Sequence, residues 1–185
     1  MSVHPPNRHL HRLAIRAALV SSLAWLLAQP AAAAPDEALI FRVRSSDSAI
    51  TAFIELAATR SLTFRTLVAL IQASDGIVYV EPGDCGAHGA RACLKGWVGA
   101  AGPNRFLRVM VSRRRADSDI DFMGSIGHEL QHTVEALSDP ATINSAALYN
   151  FFSRIAPTSS RRFETIEAIN AGDAVREELG RRIKY

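Results

Sequence analysis

The chain has 185 residues, 48% of them hydrophobic, with 21 Lys+Arg, 18 Asp+Glu and a formal net charge of +3. That excess lies within residues 1–34, which hold Arg8, Arg12 and Arg16 and no acid, leaving 18 basic against 18 acidic residues. A nearly neutral remainder of about 150 residues suits one domain with its own core, and its charge gives no ground for a nucleic-acid partner.

Residues 1–34 have the build of a signal peptide. The three Arg precede the apolar run at residues 17–28, then Gln29-Pro30 and the four alanines Ala31 to Ala34, with cleavage favoured after Ala33. The run is short for a membrane span. The expectation is an exported protein, periplasmic or secreted, with no stable membrane insertion after cleavage and a single domain over residues 35–185. The leader also takes His4, His9 and His11 and leaves only His88, His128 and His132.

In the remainder, residues 39–44 alternate as a short half-buried strand. Residues 48–59 carry Ile50, Phe53, Ile54 and Ala57 at helical spacing, with Ser46, Asp47 or Ser48 as cap. A second helical run covers 62–73 and stops at Ser74-Asp75-Gly76; the two runs read as separate helices or as one helix broken at 59–61. Residues 77–81, 92–98 and 106–112 are strand-like, and their short spacings predict antiparallel neighbours. Arg113-Arg114-Arg115 follows as a solvated edge. Between the first two of these strands, Cys85 and Cys93 flank a Gly-rich loop. In an exported protein they most simply form a disulfide, although Cys85, His88 and Cys93 also resemble a metal ligand set.

A long helix is predicted from a cap in 117–119 to residue 138, with Met123, Ile126, Leu130, Val134 and Leu137 on one arc. The opposite arc carries His128, His132 and Glu135, and no Lys or Arg occurs from 117 to 140. Such a helix packs on a core with one face and lines a cleft with the other. Residues 141–155 and 163–183 read as two further helices, separated by a break at 157–160. The whole pattern predicts an α+β fold: a small antiparallel or mixed sheet against a central metal-binding helix, with further helices at both ends.

Within that helix, Gly127-His128-Glu129-Leu130-Gln131-His132 carries the chemistry. Side chains four apart share a helix face, so His128 and His132 can close on one metal ion with Glu129 beside it. Two imidazoles and a third protein ligand leave one zinc position open to water, and Glu129 is then general base and proton shuttle. Glu135 lies nearly two turns from His128, too far for the shared ion on an unbroken helix. It is expected as a hydrogen-bond partner of His132 or as part of the cleft wall, with a ligand role as the alternative. Further on, Arg162-Phe163-Glu164-Thr165-Ile166-Glu167-Ala168 offers two carboxylates one helical turn apart.

On these residues the chain resembles the zincin superfamily of zinc metallopeptidases, in particular its gluzincin branch, whose third ligand is a glutamate. His128, Glu129 and His132 match the zinc-binding motif, and the resemblance makes Glu164 the third ligand, with Glu167 as second choice. Ser160 stands where gluzincins place Asn. The Glu-Thr-x-Glu-Ala run after the motif also looks like that of a group of small exported bacterial proteins. The resemblance covers roughly residues 105–170 and implies a zincin-like domain that binds Zn2+ and cleaves a peptide or protein substrate. In that family the strand before the motif helix, here 106–112, pairs with an extended substrate, and a side chain holds the oxyanion; Tyr149, ahead of Arg161, is the candidate here. Two alternatives stand beside this. One is a deformylase-like amide hydrolase using Cys93 as third ligand, and the other a non-catalytic metal-bearing binding protein of the cell envelope.

Overall fold

The computed structural model describes residues 42–86, 90–113, 117–156 and 163–181. The expected signal peptide, the start of the first strand, His88 and Arg161 lie outside the described residues. Among those described, the elements run β1 (Val43–Arg44), α1 (Ser48–Arg60), α2 (Leu62–Ala73), β2 (Gly76–Pro82), β3 (Ala92–Ala101), β4 (Asn104–Val111), α3 (Asp119–Ser138), α4 (Ser145–Ile155) and α5 (Ile166–Gly180). The class is α+β with a mixed four-stranded sheet.

Helices α1 and α2 are separate because Ser61 leaves the helical region, at φ −115° and ψ 122°. Its amide bonds to Ala57 at the end of α1, and its side-chain hydroxyl accepts from the Phe64 amide at the start of α2. Two other starts come later than the apolar pattern suggests. Asn144 accepts from Ala147 and opens α4 at Ser145, and Thr165 accepts from Ala168 and opens α5 at Ile166. In both cases a capping side chain outweighs the periodicity before it.

The strand order is β1-β2-β4-β3. β2 runs parallel to β1 and to β4, and β3 is antiparallel to β4, so the antiparallel expectation for the three later strands holds for the β3–β4 hairpin and fails for β2. β2 and β3 follow one another in sequence without pairing, because β4 lies between them. The chain after β2 crosses the end of β4, where Gly83 donates to the Val111 carbonyl at 2.9 Å and the Ser112 amide donates to Arg91 at 2.7 Å. The Cys85–Cys93 disulfide closes this crossing, with Cα atoms 5.7 Å apart. This order also corrects which strand can line a cleft: β4 is bonded on both sides, and β3 forms the edge.

Alternation along β4 buries Leu107, Val109 and Val111, while Phe106, Arg108 and Met110 between them are half-buried or exposed. The buried set joins Ile54, Phe64, Ile71, Val78, Val80, Ile126 and Leu130 in the core between sheet and helices. α3 is not simply two-faced, because Gly124, Gly127, His132 and Thr133 are buried along with its apolar arc. It runs through the domain with 12 of its 20 residues buried. Arg113 is exposed, as expected of this edge, and pairs with Asp119 and lies over the Phe53 ring at 4.9 Å; Arg114 and Arg115 lie outside the described residues.

Arg105, at the start of β4, fixes the far end of α3. Its guanidinium is 6% exposed and donates to the carbonyls of Leu137 at 2.7 Å and Asp139 at 2.8 Å, and to both carboxylate oxygens of Asp75 at 2.7 and 2.8 Å. It thereby satisfies carbonyls that a helix end leaves without partners. Hydrogen bonding to Arg105 holds the Asp75 carboxyl below its ordinary value of 3.8, against the opposing effect of burial. A carboxyl depressed on folding stabilises the fold above its unfolded pKa and loses that contribution as pH falls through the folded one. Arg105→Ala is expected to cost about 3 kcal/mol by thermal or urea denaturation. Asp75→Asn should lower the melting temperature at pH 7 and flatten its decline between about pH 4 and pH 2; an unchanged slope would disprove the assignment.

Candidate metal centre

His128, Glu129 and His132 lie in the second half of α3, where the helix passes under the N-terminus of α5. The two helices approach through glycines. A Cβ built on Gly172 of α5 would stand 3.1 Å from His128 Cβ and 3.2 Å from the Gly124 carbonyl, and one on Gly127 2.9 Å from Val175 Cγ2. Ala168 and Ala171 continue the small seam on α5 and are buried. This close approach places the residue just before the cap of α5 against the motif, and that residue is Glu164.

Glu164 Oε2 is 3.0 Å from His128 Nε2 and 3.9 Å from His132 Nε2. One ligand atom from each of His128, His132 and Glu164 lies within 4.8 Å of the others, forming a group with the donor chemistry and spacing to hold a metal ion. Ligands at the ordinary zinc distances stand about 3.3 Å apart in a tetrahedron, so the two edges measured to Glu164 bracket the required value. Glu167, the second choice for this role, sits exposed in the first turn of α5 and is not in the group.

Glu135 touches His132 from the other side, with Oε2 3.0 Å from Nδ1. A carboxylate can only accept, so Nδ1 carries the proton and the Nε2 lone pair is left for a metal. The electrostatics favour a cation at this place. The His128 imidazole at 3.0 Å, with His132 beside it at 3.9 Å, holds the Glu164 carboxyl far below the usual carboxylate range, against the opposing effect of burial. Glu135 is also lowered, with the His132 hydrogen bond overcoming the cost of burial. His132 is pushed up to about 9: burial works against its charged form, and the hydrogen bond to Glu135 and the nearby Glu164 carboxylate prevail. Three carboxylates around two imidazoles leave a negative site that a divalent cation would neutralise.

Glu129 has a different environment. It is 8% exposed, and burial raises its pKa against the pull of both histidines. Its Oε2 accepts from the Leu94 amide on β3 at 2.7 Å. A register shift in the β3–β4 pairing occurs between Leu94 and Val98, where the edge strand bends beside the site. The cavity here has a volume of about 680 Å³. Glu129, His132 and Glu164 share its wall with Leu94, Leu148 and Phe152, and the disulfide lines it as well. Tyr149, the candidate oxyanion donor, is on the same wall, 62% exposed and edge-on to Phe163 with ring centroids 5.1 Å apart. Cys93 is bonded to Cys85 and cannot offer the thiolate that a third-ligand role requires.

Sequence reasoning missed two features of the site. The Leu94 amide is a backbone group and leaves no trace in residue type. Phe163, at φ 57°, turns the chain in the left-handed region immediately before Glu164, a conformation that bulky residues rarely adopt. Its ring packs near Phe152, which itself meets His132 edge-on at 5.4 Å.

Comparison of the chain with family models, with curated proteins and with solved structures finds no match, so the chemistry rests on the geometry of the site. The glycine seam makes a direct prediction. Gly172→Leu should destabilise the fold by about 1–3 kcal/mol and weaken metal binding by pushing α5 off α3. Gly180→Ala, with nothing within 4 Å of the added Cβ, should change neither. Denaturation curves and equilibrium dialysis against zinc measure both effects.

Proposed function

We propose that the protein is a zinc-dependent hydrolase, a metallopeptidase of the zincin type that works in an oxidising compartment outside the cytoplasm. The observation that carries this reading is the convergence of His128, His132 and Glu164 from two separate helices, with the buried Glu129 beside them on the wall of a cavity. Two imidazoles and one carboxylate are a donor set suited to catalytic zinc. When bound, the ion supplies Lewis acidity to a carbonyl and acidifies a water.

The chain's own residues account for the remaining steps. Glu129 has one oxygen held by the Leu94 amide, which leaves the other to take a proton from the attacking water and deliver it to the leaving amine. Its raised pKa suits a group that must both accept and return a proton. The edge of β3 offers backbone groups to an extended peptide, and the Leu148, Phe152 and Phe163 side chains suit an apolar side chain beside the scissile bond. Tyr149 is the candidate donor to the oxyanion. The disulfide supports export, and among the described residues no helix is long and apolar enough to cross a membrane.

Cys93 is engaged in the disulfide, so a deformylase-like site with cysteine as third ligand loses its support. A non-catalytic metal-bearing protein remains the competing reading, and Glu129 argues against it, because a structural site has no use for a buried base.

Purified protein is expected to bind one zinc and to cleave casein or members of a peptide library. Glu129→Gln should keep the zinc and lose at least about a hundredfold in kcat. Zinc bound with no cleavage by wild type, across a broad peptide library, would favour the non-catalytic reading. Glu164→Ala should lose zinc while Glu167→Ala retains it, as read by metal analysis after dialysis; the reverse pattern would move the ligand to Glu167.

A further inference from the structure

Thr165 follows Glu164 and is 2% exposed. Its hydroxyl has two partners: it accepts from the Ala168 amide at 3.2 Å and donates to Glu135 Oε1 at 2.7 Å. The other oxygen of Glu135 takes the His132 Nδ1 proton at 3.0 Å, and Gln131 Nε2 donates to Oε1 at 3.3 Å. One carboxylate on α3 therefore holds a ligand imidazole on its own helix and, through one hydroxyl, the residue bonded to the carboxylate ligand at the start of α5.

We propose that Thr165 is a positioning residue for the metal centre: its hydroxyl, through Glu135, couples the placement of Glu164 to the orientation of His132. The inference rests on the reading of His128, His132 and Glu164 as metal ligands.

A hydroxyl has a single proton, and a carboxylate has none to offer, so the Thr165 proton is committed to Glu135 and a Thr165 lone pair to the helix amide. The arrangement has one sense only. On the other side of Glu164, Phe163 holds a left-handed backbone, a strained conformation for a bulky residue. The Thr165–Glu135 bond holds this strained segment in place directly beside the ligand. The glycine seam brings the helices together a turn or more further along α5, and this tether adds a hold where the chain enters the helix. Removing the hydroxyl takes one hold from the segment that carries Glu164 and one from the carboxylate that sets the His132 ring.

Zinc and cobalt titrations of the purified full chain, with melting temperatures of the metal-free protein alongside, test the proposal in wild type, Thr165→Ser, Thr165→Val and Thr165→Asp. Ser keeps both roles of the hydroxyl. Asp keeps an acceptor for the Ala168 amide and has no proton for Glu135, so it separates capping from coupling. Ser is expected to match wild type in affinity and in the visible spectrum of the bound cobalt. Val and Asp are expected to bind about ten- to a hundredfold more weakly and to show an altered cobalt spectrum. If Val does not fold, Ser and Asp decide. Asp binding as wild type does would mean that Thr165 only caps α5, which overturns the proposal and leaves the ligand reading intact. Failure of the wild type to bind either metal overturns both.

Discussion

The closeness of α3 and α5 is the constraint on which the site depends. His128 and His132 sit on one helix and can be aligned by its repeat alone, but Glu164 is more than thirty residues on and must be brought to them. With Gly124 and Gly127 on one side and Gly172 on the other, the backbones approach until the carbonyl of one helix is in contact distance of the other. Side chains of ordinary size would hold the axes apart and carry Glu164 away from Nε2 of both histidines. Glycine in a helix costs up to about 1 kcal/mol relative to alanine. Here that loss is offset by a buried seam and by the convergence of three donors.

Around this contact, the rest of the domain fixes α3 at both ends and along its length. Ser118 caps its start, and Arg105 gathers the carbonyls at its end. The sheet supplies an apolar floor through Leu107 and Val109, and β3 reaches over the motif with the Leu94 amide. The disulfide holds the crossing that sets β3 on the edge of the sheet rather than beside β2. A single exchange of strand order would bury the Leu94 amide in the sheet and leave Glu129 without that partner.

The charges of the site follow from these placements. Glu129, Glu135 and Glu164 are all close to His132, yet their environments push them apart: burial raises the first, and imidazole hydrogen bonds lower the other two. The carboxylates held ionised are the two bonded to imidazole. The one raised by burial lines the cavity, an environment that suits the proton-transfer role proposed for it. Divergent environments for neighbouring carboxyls are how one site assigns binding and proton-transfer roles to the same residue type.

The motif, its helix and the partnership of Glu135 with His132 were legible in the sequence because each depends on spacing along one helix, where 3.6 residues per turn sets which side chains meet. The α+β class and the Cys85–Cys93 pairing were legible for similar reasons: strand and helix periods differ, and there were only two cysteines to pair. Strand order was not, since a strand's neighbours are chosen by long-range pairing and β4 inserts between two strands adjacent in sequence. Nor were the Leu94 amide, the cap that Arg105 forms or the Thr165 hydroxyl on Glu135, all of which join residues thirty or more positions apart. By itself the sequence named His128, Glu129 and His132 as the candidate site residues. Tertiary structure alone decided that Glu164 rather than Glu167 faces the histidines, because only the helix cap at Thr165 and the glycine seam set the phase at which α5 meets α3.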